Sequence, residues 1–467
     1  MHYKKLYING KWVEPNSTSI IEVENPANKT IIGSVPAANE DDINMAVKAA
    51  REAFVPWSTR PLEDRVSFVQ KLFDMLINIK EELADIVVME LGSSRSFALN
   101  THIMPYLLNI EDYIKIVENY EFEERYPGYI VTKEPVGVVA ALTPWNYPFG
   151  QIIKKLIPAL LAGNTMVLKP SQKTPLIAVK LTEAIDKVAF PEGVFNLVTG
   201  KGSEVGNILA THKDVDMVTL TGSTSAGIEV GKLAMDDLKR LTLELGGKSP
   251  GIILKGADYD LALTKVLDKV FLNTGQTCSA LSRLIIPREE KEIIEELIIE
   301  KSKKYKVGNP NEADTIVGPL ASKKQFDKVS YYINKGIEEG ASLLVGEVPK
   351  ESEGYYVSPT VFVDVNNNME IARNEIFGPV LSVICYDSVE EAISIANDTQ
   401  FGLSGAVFGP NESAKMVAKQ IRTGNIVVNE GNFTHKAPFG GFKHSGIGRE
   451  GGKYGIEEFL EIKATFY

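Results

Sequence analysis

Hydrophobic and polar positions change their rhythm several times along the chain, and each rhythm predicts an element. Leu6, Ile8, Trp12 and Val13 surround Asn9-Gly10, a hairpin turn dipeptide, so residues 6–13 predict a β-hairpin. Residues 41–53 and 63–91 carry apolar side chains at helical spacing, with Ala46, Ala49, Ala50 and Ala53 on one face. From Val136 the texture changes. Residues 136–142 are continuously apolar, as expected of a strand buried on both faces. Strands at 165–168, 194–198 and 217–220 follow, separated by helices at 151–161, 175–190 and 205–211. Strands at 241–245 and 251–254 close this half.

A second alternating run begins with a helix near Tyr259. It continues through a strand at 282–286, a helix at 291–305, a strand at 380–386, a helix at 389–396 and a strand at 426–429. Strands alternating with helices predict α/β architecture with doubly wound parallel sheets. The two halves differ in sequence, and no internal repeat or low-complexity segment is present. Residues 118–132 stand apart: they are charged, with Tyr120, Phe122, Tyr126 and Tyr129 at strand-like spacing. The tail alternates as Leu460, Ile462, Ala464 and Phe466. These two segments read as projecting edge strands, covered by another subunit or protected by their own charge.

Composition narrows the function class. A chain of 467 residues predicts two or three domains. A net charge of −11 and a pI near 5.3 disfavour nucleic acid as the main partner, because phosphate binding favours a basic surface. The two cysteines, Cys278 and Cys385, cannot form a disulfide framework and suit a reducing compartment. No signal-peptide pattern and no membrane-length apolar run occurs, so the expectation is a cytoplasmic enzyme with no membrane partner. The five histidines, His2, His102, His212, His435 and His444, show no metal-ligand spacing, and no metal site is expected.

Candidate chemistry gathers at a few segments. Cys278 lies in Gly275-Gln276-Thr277-Cys278, among small residues that leave room for a substrate. Glu244 lies in the apolar stretch Leu243-Glu244-Leu245-Gly246-Gly247. A thiolate is a strong nucleophile, and burial raises a carboxyl pKa toward the range useful for a base. Glu244 also fits a hydrogen-bonded structural carboxylate. Asn146, between Trp145 and Tyr147 at the end of a buried strand, offers an amide donor suited to an oxyanion, or serves a Pro- and Asn-rich turn.

Other candidates follow the strands. Lys169 ends the next strand, where a lysine binds ribose or phosphate or is simply solvated. Thr221-Gly222-Ser223-Thr224 joins a strand to a helix and suits a phosphate at the helix N-terminus or an ordinary tight turn. Gly200 to Gly206 misses the dinucleotide spacing by one residue and reads as a packing turn. Glu375 stands beside Phe377, a carboxylate and a ring suited to a ribose and a flat base. Cys385, in an apolar strand, reads as a core residue.

Seven segments taken in order resemble the aldehyde dehydrogenase superfamily across essentially the whole chain. They are TPWNYPF at 143–149, LKPS at 168–171, TGS at 221–223, LELGGKSP at 243–250, GQTC at 275–278, EIFGPV at 375–380 and PFGGFKHSGIGRE at 438–450. The resemblance implies that Cys278 attacks an aldehyde and that Asn146 and the Cys278 N–H hold the oxyanion. It implies hydride transfer to NAD and thioester hydrolysis by water that Glu244 activates. Lys155 and Glu450 match a proton relay. Lys169 and Glu375 would hold ribose hydroxyls, Phe377 would position the nicotinamide, and Ser223 would touch the pyrophosphate. Gly202 and Gly206 would flank the adenine, and Trp145 would pack near cofactor and substrate.

The same resemblance implies a Rossmann-like cofactor domain (1–117 and 133–245) and an α/β catalytic domain (246–430). Oligomerisation strands (118–132 and 450–467) and a return segment on the substrate side (431–449) complete it, giving a homodimer or homotetramer. Two departures stand out. Gln172 occupies a place where many NAD-preferring relatives carry Glu, and a neutral amide would not repel a 2′-phosphate, so NAD with tolerance of NADP is expected. The loop Glu430-Gly431-Asn432-Phe433-Thr434-His435-Lys436 carries no recognised substrate signature. The alternatives are a CoA-acylating semialdehyde dehydrogenase, whose members usually lack the glutamate, and a silent binding or structural member, which would be expected to lose Cys278, Glu244 or Asn146.

Overall fold

The continuous apolar runs become the central strands of two sheets in the computed structural model, which describes all residues, Met1–Tyr467. In the first sheet Arg240–Glu244, Met217–Thr221, Val138–Leu142, Thr165–Lys169 and Phe195–Leu197 lie parallel, in that spatial order. The chain enters at Val138–Leu142, builds outward to Phe195–Leu197, and returns on the other side with Met217–Thr221. This reversal is a topological switch point, and open α/β sheets hold ligands beyond the carboxyl ends of the strands there. The hairpin Leu6–Ile8 and Lys11–Val13 closes one edge, turning at Asn9 and Gly10 with φ of 53° and 71°. Gly446–Ile447 closes the other edge, antiparallel to Arg240–Glu244.

The second sheet runs Ser342–Val345, Thr360–Val363, Val380–Tyr386, Arg283–Pro287, Pro250–Ile253, Ala406–Phe408 and Val427–Val428, parallel except for its first strand. Cys385 is half-buried in Val380–Tyr386 and packs at the edge of that sheet's core. The connection from Glu244 to Pro250 links the two sheets and contains Gly246-Gly247.

Helix Pro148–Ala162 is buried at all fifteen positions. Pro148 opens it, where its missing N–H costs nothing, and Gly163 in the left-handed region ends it. Gln151, Lys154 and Lys155 are polar residues inside an otherwise apolar helix and therefore need partners.

The two projecting segments pair with each other. Glu123–Tyr126, Tyr129–Pro135 and Leu460–Phe466 form one antiparallel sheet, with the tail strand at its edge. Ile462 and Phe466 are 74% and 76% exposed there. The helix expected over 63–91 divides at Ile79 into Leu62–Asn78 and Lys80–Leu91. Met104–Glu118 forms a helix that the sequence reading did not anticipate. No helix is long and apolar enough to cross a membrane.

Candidate active site

Cys278 follows a strained turn. After helix Tyr259–Phe271, Asn273, Thr274 and Gly275 have φ of 54°, 55° and 70° in succession. Left-handed backbone at a β-branched threonine costs about 1–3 kcal/mol and persists only where surroundings over-determine it. Here they do. Asn273 Nδ2 donates to Asn146 O at 3.0 Å and to Gln276 O at 3.3 Å, and Asn273 Oδ1 pairs with buried His102 Nε2 at 3.1 Å. Thr274 Oγ1 donates to Gly318 O at 3.0 Å, and Gln276 Oε1 accepts from Ala321 N at 2.8 Å. Gly275 admits no side chain, since a Cβ would lie 2.1 Å from Gly378 O. The turn delivers Cys278 half-buried, with a backbone N–H that makes no hydrogen bond within the chain.

Asn146 follows strand Val138–Leu142 and lies against this turn. Its Nδ2 donates to Gln276 O at 2.9 Å, which fixes the amide and leaves the second hydrogen free. The neighbouring Tyr147 hydroxyl shares a hydrogen bond with Thr277 Oγ1 at 2.9 Å, one residue from the thiol.

Glu244 ends strand Arg240–Glu244, is 2% exposed, and has two buried carboxyl oxygens without a hydrogen-bond partner. Burial holds its pKa well above the ordinary carboxyl range, and the Glu450 charge raises it further against the pull of Lys155, Lys154 and Arg449. Gly440 makes room for it, because a Cβ there would lie 2.6 Å from Glu244 Oε1. Burial pushes the Cys278 thiol up to about 12, with Glu375 and Glu244 adding to the effect and Lys154 and the Ser279 N–H opposing it. Near neutral pH the thiol is therefore protonated and needs a base.

Gly247 brings the elements together. A Cβ at Gly247 would lie 2.4 Å from Cys278 O, and its N–H donates to Glu375 Oε1 at 3.0 Å. A Cβ at Gly246 would lie 2.6 Å from Glu375 Oε2. Behind Glu244, Lys155 Nζ forms a buried ion pair with Glu450 and donates to Thr221 Oγ1 at 2.8 Å, and Thr221 donates to Gln151 Oε1 at 3.2 Å. Glu450 Oε2 is buried without a partner. Cys278, Glu244, Asn146, Lys155 and Glu450 thus converge on one region.

The remaining candidates follow strands of the first sheet, except Phe377, which precedes Val380–Tyr386 of the second. Lys169 ends its strand, is 5% exposed and forms no ion pair, and desolvation lowers its pKa to about 8. Gln172 is half-buried three residues on. Ser223 caps helix Thr224–Met235, accepting from Ala226 N at 3.2 Å. Trp145 and Phe377 meet edge to face at 5.3 Å, with Phe377 at φ 61°. In the glycine-rich turn the close packing falls on Gly200, whose Cβ would lie 2.2 Å from Val205 Cγ2. Gly202 faces open space, and a Cβ at Gly206 would meet only Leu142 Cδ1 at 3.7 Å. The chain holds no cluster of three or more potential metal-ligating side chains.

Sequence reasoning missed the residues that hold the site. Asn273 sits just before GQTC, so its nearness was legible, but its three hydrogen bonds were not. His102 reaches it from 171 residues away. Lys154 was not among the candidates.

The family model described as "Aldehyde dehydrogenase family" matches residues 12–465. A putative aldehyde dehydrogenase of Staphylococcus haemolyticus is 45% identical over 99% of this chain and 98% of its own. Aldehyde dehydrogenase C of Pseudomonas syringae, solved as a cysteine-to-alanine mutant with NAD+ and octanal, is 41% identical with a TM-score of 0.98, covering 99% of this chain and 96% of its own. A Mycobacterium tuberculosis aldehyde dehydrogenase solved with NAD+ is 40% identical with a TM-score of 0.97, covering 100% and 98%. A Staphylococcus aureus betaine aldehyde dehydrogenase with NAD+ is 36% identical with a TM-score of 0.95, covering 99% and 94%. On the family match and these full-length likenesses, the chain belongs to the aldehyde dehydrogenase family.

Proposed function

We propose that this protein oxidises an aldehyde to a carboxylate with NAD+, using Cys278 as nucleophile and Glu244 as base. The observation that carries this reading is the buried Glu244 carboxyl, unpartnered at both oxygens and near enough to the Cys278 thiol to help raise its pKa. Cys278 Sγ adds to the aldehyde carbon, its proton passing to a base, and the new oxyanion is held by the free hydrogen of Asn146 Nδ2 and the Cys278 N–H. Bound NAD+ supplies the hydride acceptor that converts this thiohemiacetal to a thioester. Glu244 takes a proton from water as the water adds to the thioester carbonyl; the thiolate then leaves and the carboxylate departs. The Lys155–Glu450 pair, bonded on to Thr221 and Gln151, gives that proton a buried exit.

The residues fit such a cofactor. Lys169 is a buried cation without an anionic partner, suited to ribose hydroxyls together with Glu375, while Ser223 offers a helix N-terminus to the pyrophosphate. The open space at Gly202, with Gly206 behind it, suits the adenine, and the Trp145–Phe377 pair suits the nicotinamide. The first sheet then serves as the cofactor domain and the second as the domain carrying the thiol. Gln172, lacking a carboxylate charge, admits NADP as a second cofactor. The exposed tail strand, with Ile462 and Phe466, fits an interface in a cytoplasmic homodimer or homotetramer. Glu244 also favours hydrolysis over transfer to CoA.

The test is NADH production from purified protein across aldehydes of different chain length and charge, with and without CoA. CoA-independent turnover with at least one aldehyde supports the reading. Strict dependence on CoA contradicts it.

A further inference from the structure

Lys154 is a polar residue near the thiol that the proposed mechanism leaves unused. It lies on helix Pro148–Ala162 and is 4% exposed, yet it forms neither an ion pair nor a hydrogen bond. Its neighbour Lys155 is fully engaged by Glu450 and Thr221. Lys154 Nζ instead stands over the ring of Phe439 at 4.6 Å and that of Tyr106 at 5.9 Å. Such a cation–π contact contributes about 0.5–2 kcal/mol. The ammonium has no anionic partner, so an anion arriving beside it would be favourable.

Its position points to the substrate. Tyr147, Gly150 and Lys154 share one helix face at i, i+3 and i+7. The Tyr147 hydroxyl bonds Thr277, next to Cys278. Gly150 has no side chain because the Tyr106 ring fills that space, 2.3 Å from where a Cβ would stand. The lysine side chain leans back toward the helix N-terminus, and its ammonium is near enough to the Cys278 thiol to oppose the rise of the thiol's pKa. The walls around it are aromatic. Tyr106 and His435 lie 4.8 Å apart, Phe433 and His435 5.1 Å, and Phe433 and Phe439 5.7 Å.

Two lysines near the thiol lack an ion-pair partner. Lys269, on helix Tyr259–Phe271, also forms no ion pair, and it lies near enough to oppose protonation of His435, as Lys154 does. Of the carboxylates nearby, Asp112 is held by Lys436 at 3.0 Å and Asp268 by Lys304 at 3.0 Å and the Tyr305 hydroxyl at 2.6 Å, while Glu244 feels the Lys154 charge without bonding it. A chain of net charge −11 therefore places unpaired positive charge beside its thiol.

We infer that the protein prefers short aldehydes carrying a carboxylate at the end remote from the carbonyl, and that Lys154 receives that carboxylate. This rests on the aldehyde-oxidising reading above. An aliphatic chain between the two groups would lie along the aromatic walls, whereas a trimethylammonium aldehyde would meet like charge.

The experiment compares initial NADH rates on aldehydes of equal length ending in methyl, carboxylate, phosphate or trimethylammonium, with wild-type protein, Lys154→Met and Lys154→Arg. In the wild type, kcat/KM is expected to be at least ~10-fold higher for the carboxylate than for the methyl-ended aldehyde, and lowest for the cation, since a hydrogen bond to a charged group contributes about 1.5–3 kcal/mol. Lys154→Met should bring the carboxylate-to-methyl ratio close to one, mainly through KM, and Lys154→Arg should retain much of it. Thermal stabilisation by NAD+ checks that each variant is folded, and the arginine variant keeps the test open if the methionine variant is not.

A wild-type ratio near one, or a ratio that Lys154→Met leaves unchanged, overturns the inference. So does an equal fall in kcat on every aldehyde, which would mean that Lys154 serves Glu244 and not the substrate. A phosphate that outruns the carboxylate overturns the choice of anion. Silence with every aldehyde refutes the oxidation reading itself, and this inference with it.

Discussion

Asn146→Ala separates catalysis from stability in a way the structure makes quantitative. Asn146 is 5% exposed, and its Nδ2 spends one hydrogen on Gln276 O at 2.9 Å. Removing the side chain does not orphan that carbonyl, because Asn273 Nδ2 still donates to it at 3.3 Å. The bond from Asn273 Nδ2 to the Asn146 carbonyl is a main-chain contact and survives. The expected stability loss is therefore that of one net hydrogen bond, about 0.5–1.5 kcal/mol. The second hydrogen is the one assigned to the oxyanion, and losing such a donor costs about 2.7–4 kcal/mol, or 10²–10³ in kcat. The assay is kcat at saturating aldehyde and NAD+, read as NADH, beside the melting temperature of the same preparation. A large loss of turnover in a protein that melts within a few degrees of wild type is the expected result. A loss of less than ~3-fold would remove Asn146 from the oxyanion role, and a collapse in melting temperature would mean that the turn, not the transition state, depends on it.

Three further outcomes follow from the same geometry. Because burial and two carboxylates hold the Cys278 thiol up to about 12, its alkylation in cofactor-free protein should rise steadily with pH through the range 8–10; a plateau near pH 7 would contradict the charge arrangement. Gln172→Glu should lower the NADP-to-NAD ratio of kcat/KM by at least ~10-fold through like-charge repulsion, and an unchanged ratio would place the 2′-phosphate elsewhere. Ile462→Glu puts a charge on the exposed face of the tail strand and should shift sedimentation toward smaller species; an unaltered profile would move the subunit interface to another face.

Much of the fold was legible because burial writes itself into long apolar runs. Val138–Leu142 and Thr165–Lys169 are buried at every residue, and their order predicted the parallel sheet. The carboxyl ends of those strands then located Asn146 and Lys169. What escaped was set by contacts distant in sequence. Ile79 interrupts a helical pattern that the spacing alone would continue. The two exposed alternating segments were each legible as strands, but that they pair with each other is fixed by register between residues more than 300 apart. Thr274 in left-handed backbone runs against its own preference and is imposed by the bonds around Asn273. Lys154 was hidden because the energetics of a lysine depend on whether it is solvated, and only the packed helix shows that this one is buried.

The central claim is a covalent acyl group on Cys278 that Glu244 releases. The most direct measurement mixes Glu244→Gln protein with NAD+ and an aldehyde that the wild type oxidises, following NADH in the first turnover and the mass of the peptide containing Cys278. The account predicts about one NADH per site, an acyl adduct on Cys278, and a steady-state rate far below wild type. A steady-state rate equal to wild type, or a first turnover that leaves no adduct on Cys278, would contradict it.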